Sequence, residues 1–416
     1  MPHYKAESSD IKHLISSENH KNDHHLHAYL EVEGHLDLTL LEKTIRLLGN
    51  KLPHLFCKFQ QTKTSAKWVE ADFSAQNFIS LIETEDSNPV IQQALTKKLN
   101  ILTGPQIRVT VIRTSQKDNL VIILNHMLAD GAGFKQLLYL LAEFYTKLVQ
   151  NPDFTIKKEA PSRSLNQVFQ NFSLAQKWHF LTDKITPSPS KNPNYPLKGD
   201  DSHPYILRVK VSNESFSWLK AYAKNHGVTI NDCLVTAFSI ALHNKLHTAE
   251  LDIDCPIDLR KFTKKTPDIT NLTANLTFSF RGSDFESLET TLLKKKEIFK
   301  AKKSDLQPLH KFYLLELIYK FLPYRVFKKQ VQKRYNIPQT SLTNMGIIDD
   351  KLLDFGGITV SDVFISGSLK FAPYFQVAVT TFRGELSLST NLHGTEEDYR
   401  FQLTILEELK AVLPHK

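Results

Sequence analysis

The stretch "QIRVTVIRTSQKDNLVIILNHMLADGAGF", residues 106 to 134, decides the fold because it joins two strand patterns to a polar loop and the start of a helix. Its first part alternates apolar and polar residues, and "NLVIIL" is apolar on both faces, which is typical of a deeply buried strand. The stretch "KQLLYLLAEFYTKL" that follows has helical periodicity. We therefore predict that His126, Asp130 and two glycines form a loop at the end of a central strand.

The same alternation of strands and helices extends in both directions. Towards the N-terminus, "LHAYLEVEG" predicts a strand and "LDLTLLEKTIRLLGNKLPHL" predicts an amphipathic helix. Towards the C-terminus, "YILRVKV", "ELDIDCPIDLR" and three later segments predict strands. The helix pattern "GVTINDCLVTAFSIALHNKL" begins with Thr229 and Asp232 at the spacing of a capping box. Both halves are predicted to be layered α/β units.

Length and composition predict two domains. The chain has 416 residues, of which 41% are hydrophobic, and a single core rarely grows that large. The segment "TPSPSKNPNYPLKGDDSHP" contains five prolines and no apolar period, which indicates an extended connection. We predict an N-terminal domain over residues 1–185, a linker over 186–204 and a C-terminal domain over 205–416.

Signals for export and for membrane spans are missing from the sequence pattern. The N-terminus lacks an apolar h-region, and no uncharged apolar run approaches the roughly 18 residues that a spanning helix needs. Three widely spaced cysteines do not form a disulfide framework. We expect a cytoplasmic protein. The formal charge of +8 favours anionic partners, although the basic clusters lack the context of a nucleic-acid site, so we expect no nucleic-acid role.

The loop residues are suited to general-base chemistry. His126 at the end of a buried strand would be mostly neutral at neutral pH and could accept a proton from a hydroxyl or an amine. Asp130 could orient His126 or could accept hydrogen bonds from an arginine and so fix the loop. Gly131 and Gly133 would permit positive φ and close backbone approach. A capped helix start with an incidental surface histidine fits the same residues.

A second group of histidines, His24, His25 and His27, precedes and enters the first predicted strand. Strand alternation would point His24 and His25 to opposite faces. We therefore predict a solvated strand end and no metal site.

The segment "HMLADG" matches the HxxxDG motif of an acyltransferase superfamily. The chain resembles chloramphenicol acetyltransferase, peptide-synthetase condensation domains and alcohol or polyketide-associated acyltransferases. The resemblance extends to the Gly-Pro segment with two strands before the motif, to "GVTINDCLVTAFSIAL" and to "PIDLRKF…NLTANLTFSF". These segments occur in the family's order along most of the chain.

This resemblance implies a fold of two chloramphenicol acetyltransferase-like domains with an active-site tunnel at their interface. It implies that His126 is the general base, that Asp130 preserves the loop, that Gly131 gives a tight turn, and that Arg260 pairs with Asp130. The implied reaction moves an acyl group from acyl-CoA or an acyl carrier protein to an alcohol or an amine. We expect a monomer that needs no cofactor beyond the thioester substrate.

Departures from the family patterns define the alternatives. Many peptide-synthetase condensation domains carry a second histidine where this chain has Asn125. In this respect the chain looks more like a stand-alone acyltransferase. We expect Asn125 to contact the substrate. The segment "SLTNMGIID" resembles the part that lines the tunnel, where Thr343 and Asn344 are either substrate contacts or ordinary turn residues. The rival functions are a carrier-dependent amide synthase and a catalytically silent protein that docks a carrier or a membrane.

Two basic stretches each allow two interpretations. The stretch "LHKFYLLELIYKFLPYRVFKKQVQKR", residues 309 to 334, combines an apolar face with basic residues, as interfacial helices do. It predicts either a helix of the core or a peripheral membrane contact. The stretch "LLKKKEIFKAKK", residues 292 to 303, predicts a solvated helix face or a surface for an anionic partner.

Overall fold

The structure is a computed structural model that describes residues 2–182, 190–264, 269–334 and 336–415. Strands and helices alternate along most of the chain. The strands are β1 (His3–Lys5), β2 (His25–Glu33), β3 (Cys57–Gln61), β4 (Ala66–Glu70), β5 (Ile79–Glu83), β6 (Ile107–Arg113), β7 (Lys117–Asn125), β8 (Pro204–Val211), β9 (Glu250–Asp258), β10 (Thr273–Arg281), β11 (Thr340–Ile348), β12 (Val360–Ser366), β13 (Lys370–Phe371), β14 (Phe375–Phe382) and β15 (Glu385–His393).

The helices cover the faces of the sheets. They are α1 (Ser8–Glu18), α2 (Leu38–Lys51), α3 (Ser87–Leu95), α4 (Gly131–Gln150), α5 (Asn166–Phe169), α6 (Leu174–Thr182), α7 (Asn213–His226), α8 (Ile230–Leu246), α9 (Leu288–Ser304), α10 (Gln307–Phe321), α11 (Tyr324–Arg334) and α12 (Glu396–Val412). The capping box predicted at the start of α8 is confirmed, because Thr229 and Asp232 bond each other's backbone N–H groups. No helix within the described residues is both long and apolar enough to cross a bilayer.

The sheet of the first half has the order β12-β2-β7-β6-β5. Strands β2, β7 and β6 are antiparallel neighbours, and β5 lies parallel to β6 at one edge. The other edge is closed by β12, which comes from the second half of the chain and pairs antiparallel with β2. The central strand β7 is buried along almost its whole length, as its apolar pattern predicts.

The second half forms a sheet of seven strands. Its order is β10-β9-β11-β14-β15-β13, and β8 also pairs with β15. Strand β11 lies parallel to β14, whereas β14 and β15 are antiparallel. A smaller sheet, β1-β4-β3, belongs to the first half.

The two halves share more structure than a boundary at the linker predicts. The core of the first half includes side chains from α11 and from the chain around β12, such as Phe327, Phe355 and Val363. The described part of the linker, from residue 190, packs on the second half, where the buried Tyr195 hydroxyl lies 2.7 Å from Oγ1 of Thr340. Residues 186 to 189 of the expected linker lie outside the described residues.

The amphipathic stretch 309 to 334 is two helices and not one. Helix α10 ends at Phe321, Leu322 is extended, and α11 begins at Tyr324. Pro323 explains the break, because its ring disfavours the helical conformation of Leu322 and it has no N–H to donate. The two helices therefore meet at a corner.

Candidate active site

The HxxxDG loop lies between the two halves of the molecule. It follows β7 directly and leads into α4, whose N-cap is Asp130. The backbone N–H of His126 donates to the carbonyl of His24 at 3.1 Å. From the second half, Nδ2 of Asn271 donates to the carbonyls of His126 and Met127 at 2.8 and 2.9 Å. Both halves thus fix the position of the loop backbone.

Asn125 supports this loop from inside the protein. Its side chain is completely buried, its Nδ2 donates to Oε1 of Gln106 at 2.6 Å, and its Oδ1 accepts from the N–H of Met127 at 3.0 Å. Both ends of the amide are therefore occupied by protein groups. The structure thus gives Asn125 a supporting role, and a contact between Asn125 and a substrate stays a prediction.

Asp130 is held by groups of the second half. Its two oxygens accept hydrogen bonds from the two terminal nitrogens of Arg260, each at 3.0 Å. They also accept from the N–H of Leu272 at 2.7 Å and from the N–H of Gly133 at 2.9 Å. Such a fork-to-fork pair is strong and directional. Of the two roles open to Asp130, the geometry favours fixing the loop over orienting the imidazole of His126.

Arg260 is itself fixed in place. Its Nη2 donates to the carbonyl of Thr270 at 2.9 Å, and its Nη1 also lies 3.1 Å from Oδ1 of Asp258. Burial opposes the charge of Arg260, but the neighbouring Asp130 and Asp258 carboxylates raise its pKa above the usual value. Arg260 therefore stays charged beside Asp130.

Gly131 is the first residue of α4, and its role differs from the expected one. Neither Gly131 nor Gly133 is among the residues with positive φ, so a left-handed tight turn is not what they supply. A Cβ added at Gly131 would overlap Sδ of Met345 and lie 3.1 Å from its Cε. Glycine at position 131 leaves room for the side chain of Met345, which reaches from β11 to the start of α4.

We expect Gly131→Ala to destabilise the protein by about 1–3 kcal/mol, the usual range for an overpacked site. The added methyl group must displace Met345, which is flexible enough to move partly. Urea unfolding of Gly131→Ala, Met345→Ala and the double variant measures this. Truncation of Met345 should remove most of the extra cost, and strict additivity of the two changes would contradict the proposed overlap.

Thr343 and Asn344 lie on β11 beside Met345. Thr343 is buried, whereas Asn344 is exposed and its Oδ1 accepts from the N–H of Gly346 at 2.9 Å. The register of β11 against β14 shifts between Asn344 and Ile347. Lys135 of α4 donates to the carbonyls on this irregular segment. Among these residues it is Met345 that meets the HxxxDG loop, and a substrate contact of Thr343 and Asn344 stays a prediction.

The imidazole of His126 stacks on two other histidines. The ring centroid of His13 lies 4.7 Å away, and that of His24 lies 5.1 Å away, with interplanar angles of 24° and 22°. His13 is on α1, and His24 directly precedes β2 with a positive φ of 61°. The expectation of a solvated strand end is wrong, because His24, His25 and His27 are all buried. Strand alternation does not apply to His24, since the chain turns there before the strand begins.

Hydrogen bonds fix the tautomers of His13 and His24. Nδ2 of Asn22 donates to Ser16, so its Oδ1 is the acceptor for Nδ1 of His24 at 2.7 Å. Nε2 of His24 must then accept, and Nδ1 of His13 donates to it at 2.5 Å. His24 has no proton left for His126. The two rings are neutral neighbours of His126 and do not relay a proton to it.

Burial keeps the imidazole of His126 neutral. Burial lowers its pKa to about 4, and the carbonyl of His126 itself and Asp130 offset this only in part. Two lysines nearby, the partly buried Lys12 and the buried Lys370, act in the same direction as burial. Burial lowers the pKa of each of them to about 8. Nδ1 of His126 is buried without a hydrogen-bond partner, whereas Nε2 is not enclosed. The free lone pair at Nε2 is available to take a proton.

Acid should destabilise the fold through these histidines. Burial holds the pKa of His13, His24 and His126 below the value of about 6.5 in an unfolded chain. The unfolded state therefore binds more protons, and stability present above pH 6.5 is lost as the pH falls towards 4, by about 1.4 kcal/mol per pH unit for each histidine. Urea unfolding at about pH 7, 6 and 5 measures this slope. His126→Gln should reduce the slope, and an unchanged free energy of unfolding across the range would contradict the assignment.

The three stacked histidines are also the candidate metal ligands. One ring nitrogen from each of His13, His24 and His126 lies within 4.8 Å of the other two, the one such group of three within the described residues. A metal bound by all three would have to break the hydrogen bond between His13 and His24. It would also occupy a nitrogen of His126 and lie near the cationic Lys12 and Lys370. The arrangement suits a base with stacked neutral neighbours better than a metal site.

Several supporting residues were missed by sequence reasoning. Arg163 is buried, pairs with Asp10 at 2.7 Å and donates to the carbonyl of Met127 at 2.5 Å. His13, Asn271 and Met345 contact the loop from α1, from the chain before β10 and from β11. The polar pair Thr270 and Asn271 just before a strand was a usable signal, whereas the others depend on tertiary packing.

Comparison with the sequences of known proteins points to one family over the first part of the chain. The family model of the condensation domain matches residues 13–271. Nonribosomal peptide synthetase kk1B of Curvularia clavata is 26% identical over 202 residues, which cover 45% of this chain and 2% of that protein. Bacitracin synthase 3 of Bacillus licheniformis is 25% identical over 177 residues, which cover 39% of this chain and 3% of that protein. The chain thus spans a small fraction of the length of these relatives.

Solved structures resemble the chain over almost its full length. The condensation domain of the Monacolin K polyketide synthase MokA has a TM-score of 0.67 at 11% identity and covers 99% of this chain and 97% of its own. The epimerization domain from the third module of tyrocidine synthetase B has a TM-score of 0.66 at 15% identity, with 99% and 97% covered. Polyketide synthase associated protein 5 from Mycobacterium tuberculosis has a TM-score of 0.62 at 15% identity, with 98% and 96% covered. The predicted fold of two chloramphenicol acetyltransferase-like lobes is confirmed.

Proposed function

Because the chain belongs to the condensation domain family, whose members are transferases that form amide or ester bonds, we propose that it transfers an acyl group from a thioester with His126 as the general base. The donor is an acyl-CoA or an acyl group on a carrier protein. The acceptor is an alcohol or an amine. The proposal needs no cofactor, because the thioester bond already activates the acyl group.

One observation carries this proposal. A neutral imidazole stands where the two halves meet, and its Nε2 is neither enclosed nor hydrogen-bonded by the described residues. Asp130, which could have competed for the ring, is fully engaged by Arg260 and by two backbone N–H groups. The histidine is thus held rigidly while its basic nitrogen stays free.

The proposed reaction has two steps. The acceptor hydroxyl or amine attacks the thioester carbonyl while Nε2 of His126 removes its proton, which gives a tetrahedral intermediate. The intermediate then expels the thiolate as its C–S bond breaks, and the protonated His126 returns the proton to the sulfur. General-base help of this kind contributes about 10²- to 10⁴-fold, so much of the remaining acceleration must come from holding both substrates together.

A carrier-dependent amide synthase is the second candidate. The family model and the peptide synthetases among the relatives favour it. The second histidine that many such domains carry is replaced by Asn125, whose buried amide binds Gln106 and the N–H of Met127. The side chain at position 125 supports the loop and is not needed to remove a proton. Asparagine in place of the second histidine therefore does not exclude amide formation.

Thiol release from a panel of donors tests the proposal and separates the candidates. Acyl-CoA thioesters and acylated carrier protein are each supplied with mixed amines and with mixed alcohols, and the acylated product is identified by mass. The exposed His35, which bonds only the carbonyl of Thr114, provides a matched control as His35→Ala. Acceptor-dependent release that His126→Ala abolishes and His35→Ala retains would support the proposal. Absence of release from every donor would favour a silent docking protein instead.

A further inference from the structure

The corner between α10 and α11 exposes apolar side chains. Residues 320 to 323 are consecutive and exposed, so the corner protrudes from the surface. Phe321 is 74% exposed, Leu322 is 37% exposed, and Val326 on the first turn of α11 is 44% exposed. Large apolar side chains that cluster on a protruding corner indicate an interaction site more strongly than scattered ones do.

These side chains are not needed to anchor the corner. Helix α11 buries Tyr324, Phe327 and Val331 on its inner face. The N–H groups of Tyr324 and Arg325 each donate at 3.2 Å to carbonyls in the turn between β3 and β4. The corner is therefore fixed by its inner face, and its outer face is free to contact something else.

The charge of the corner is strongly positive. Residues 307 to 334 contain seven Lys and Arg residues and one acid, Glu316, a difference of six charges in a chain whose formal charge is +8. Glu316 is partly buried and accepts a hydrogen bond from Ser8 of α1. Lys328 pairs with Glu18 at 2.6 Å. Arg325, Lys329 and Lys333 are exposed and have no acidic partner within the described parts of the chain.

The other basic stretch, on α9, is different and makes a matched comparison. Leu293 and Ile298 are exposed there as well, at 58% and 48%. Five of its six lysines, however, bond to protein groups, and only the exposed Lys300 has no partner within the described residues. The bonded lysines are Lys294 to Ser283, Lys295 to Asp284, Lys296 to the carbonyl of His226, Lys302 to the carbonyl of Thr277 and Lys303 to Asp232.

We propose that the α10–α11 corner binds the surface of an anionic membrane. Phe321, Leu322 and Val326 would enter the boundary between headgroups and acyl chains, while Arg325 and Lys329 would contact anionic headgroups. Stable attachment of a peripheral protein usually requires two signals, and this corner combines apolar insertion with unpaired cations. The inference is independent of the proposed acyl transfer, because none of these residues touches the HxxxDG loop.

Co-sedimentation of the full chain with vesicles tests this proposal. The vesicles are phosphatidylcholine alone and phosphatidylcholine with about one quarter phosphatidylserine. We expect binding to the anionic vesicles only. Phe321→Ser with Val326→Ser should weaken it by about 10-fold or more, and Arg325→Gln with Lys329→Gln and Lys333→Gln should weaken it by about 100-fold.

Leu293→Ser with Ile298→Ser on α9 is the matched control and should bind as the unchanged chain does. Circular dichroism melting verifies that each variant is folded. The proposal is overturned if the unchanged chain does not bind anionic vesicles, or if it binds both kinds of vesicle equally. It is also overturned if the α9 variant loses binding while the corner variants keep it. If the chain binds an immobilised acidic protein but no vesicles, the proposal is also overturned, and the corner is a site for a protein partner.

Discussion

Replacement of His126 by alanine is expected to lower kcat by about 10²- to 10⁴-fold, the usual contribution of a positioned general base. The ring stacks on His13 and His24 and makes no side-chain hydrogen bond within the described residues, so its removal breaks no polar network there. KM for both substrates should change little, because a base that acts on the transferred proton contributes mainly in the transition state. Initial rates of thiol release with the best donor and acceptor pair measure both constants.

The pH dependence of the same reaction is an independent readout. Since burial lowers the pKa of His126 to about 4, the base is already deprotonated at neutral pH. The value of kcat/KM should therefore be flat from about pH 6 to 8 and fall only as the pH approaches 4. His126→Ala should remove the acidic limb. If the variant keeps full activity while its melting curve matches the original, His126 is not the base.

Replacement of Asp130 by alanine should lower the free energy of unfolding by up to about 3–5 kcal/mol, because it leaves a largely buried Arg260 with only the half-exposed Asp258 as counter-charge. The N–H groups of Leu272 and Gly133 would also lose their acceptor. Activity should fall as well, since the loop that carries His126 is no longer fixed to the second half. Urea unfolding together with kcat of the folded fraction measures the two effects.

The double variant Asp130→Ala with Arg260→Ala is the decisive control. It removes both charges, so it should be more stable than Asp130→Ala alone, although Thr270 then loses its contact with Arg260. If the costs of the two single changes simply add, the residues do not form the coupled pair that their geometry indicates.

Local patterns predicted the parts of the structure that depend on local chemistry. The alternation before the loop predicted β6 and β7, and the spacing of Thr229 and Asp232 predicted the start of α8. The partner of Asp130 came from the family resemblance, since nothing in the spacing of the two residues brings them together. The need for glycine at position 131 was anticipated, but its cause lies in Met345, over 200 residues away, and not in the backbone angle.

Other features follow from contacts between distant parts of the chain. The three C-terminal strand patterns do not predict which sheet each strand joins. Strand β12 pairs with β2 in the sheet of the first half, whereas β14 and β15 lie in the other sheet. The stacking of His13 and His24 on His126 requires both the placement of α1 and a left-handed residue at position 24. Neither is encoded in a period or a motif, because burial and a single backbone angle override strand alternation there.

The exchange of β12 between the halves limits how this member of the family can be recombined. In a chimera joined at the linker, the first half would come from this chain and the second half from another protein. The strand that pairs with β2 would then also come from the other protein and would differ from β12. A mismatched strand leaves backbone N–H and C=O groups unpaired at an edge, which promotes aggregation. A chimera that folds must therefore transfer residues 360–366 together with the first half. The structural unit that can be exchanged is thus discontinuous in sequence.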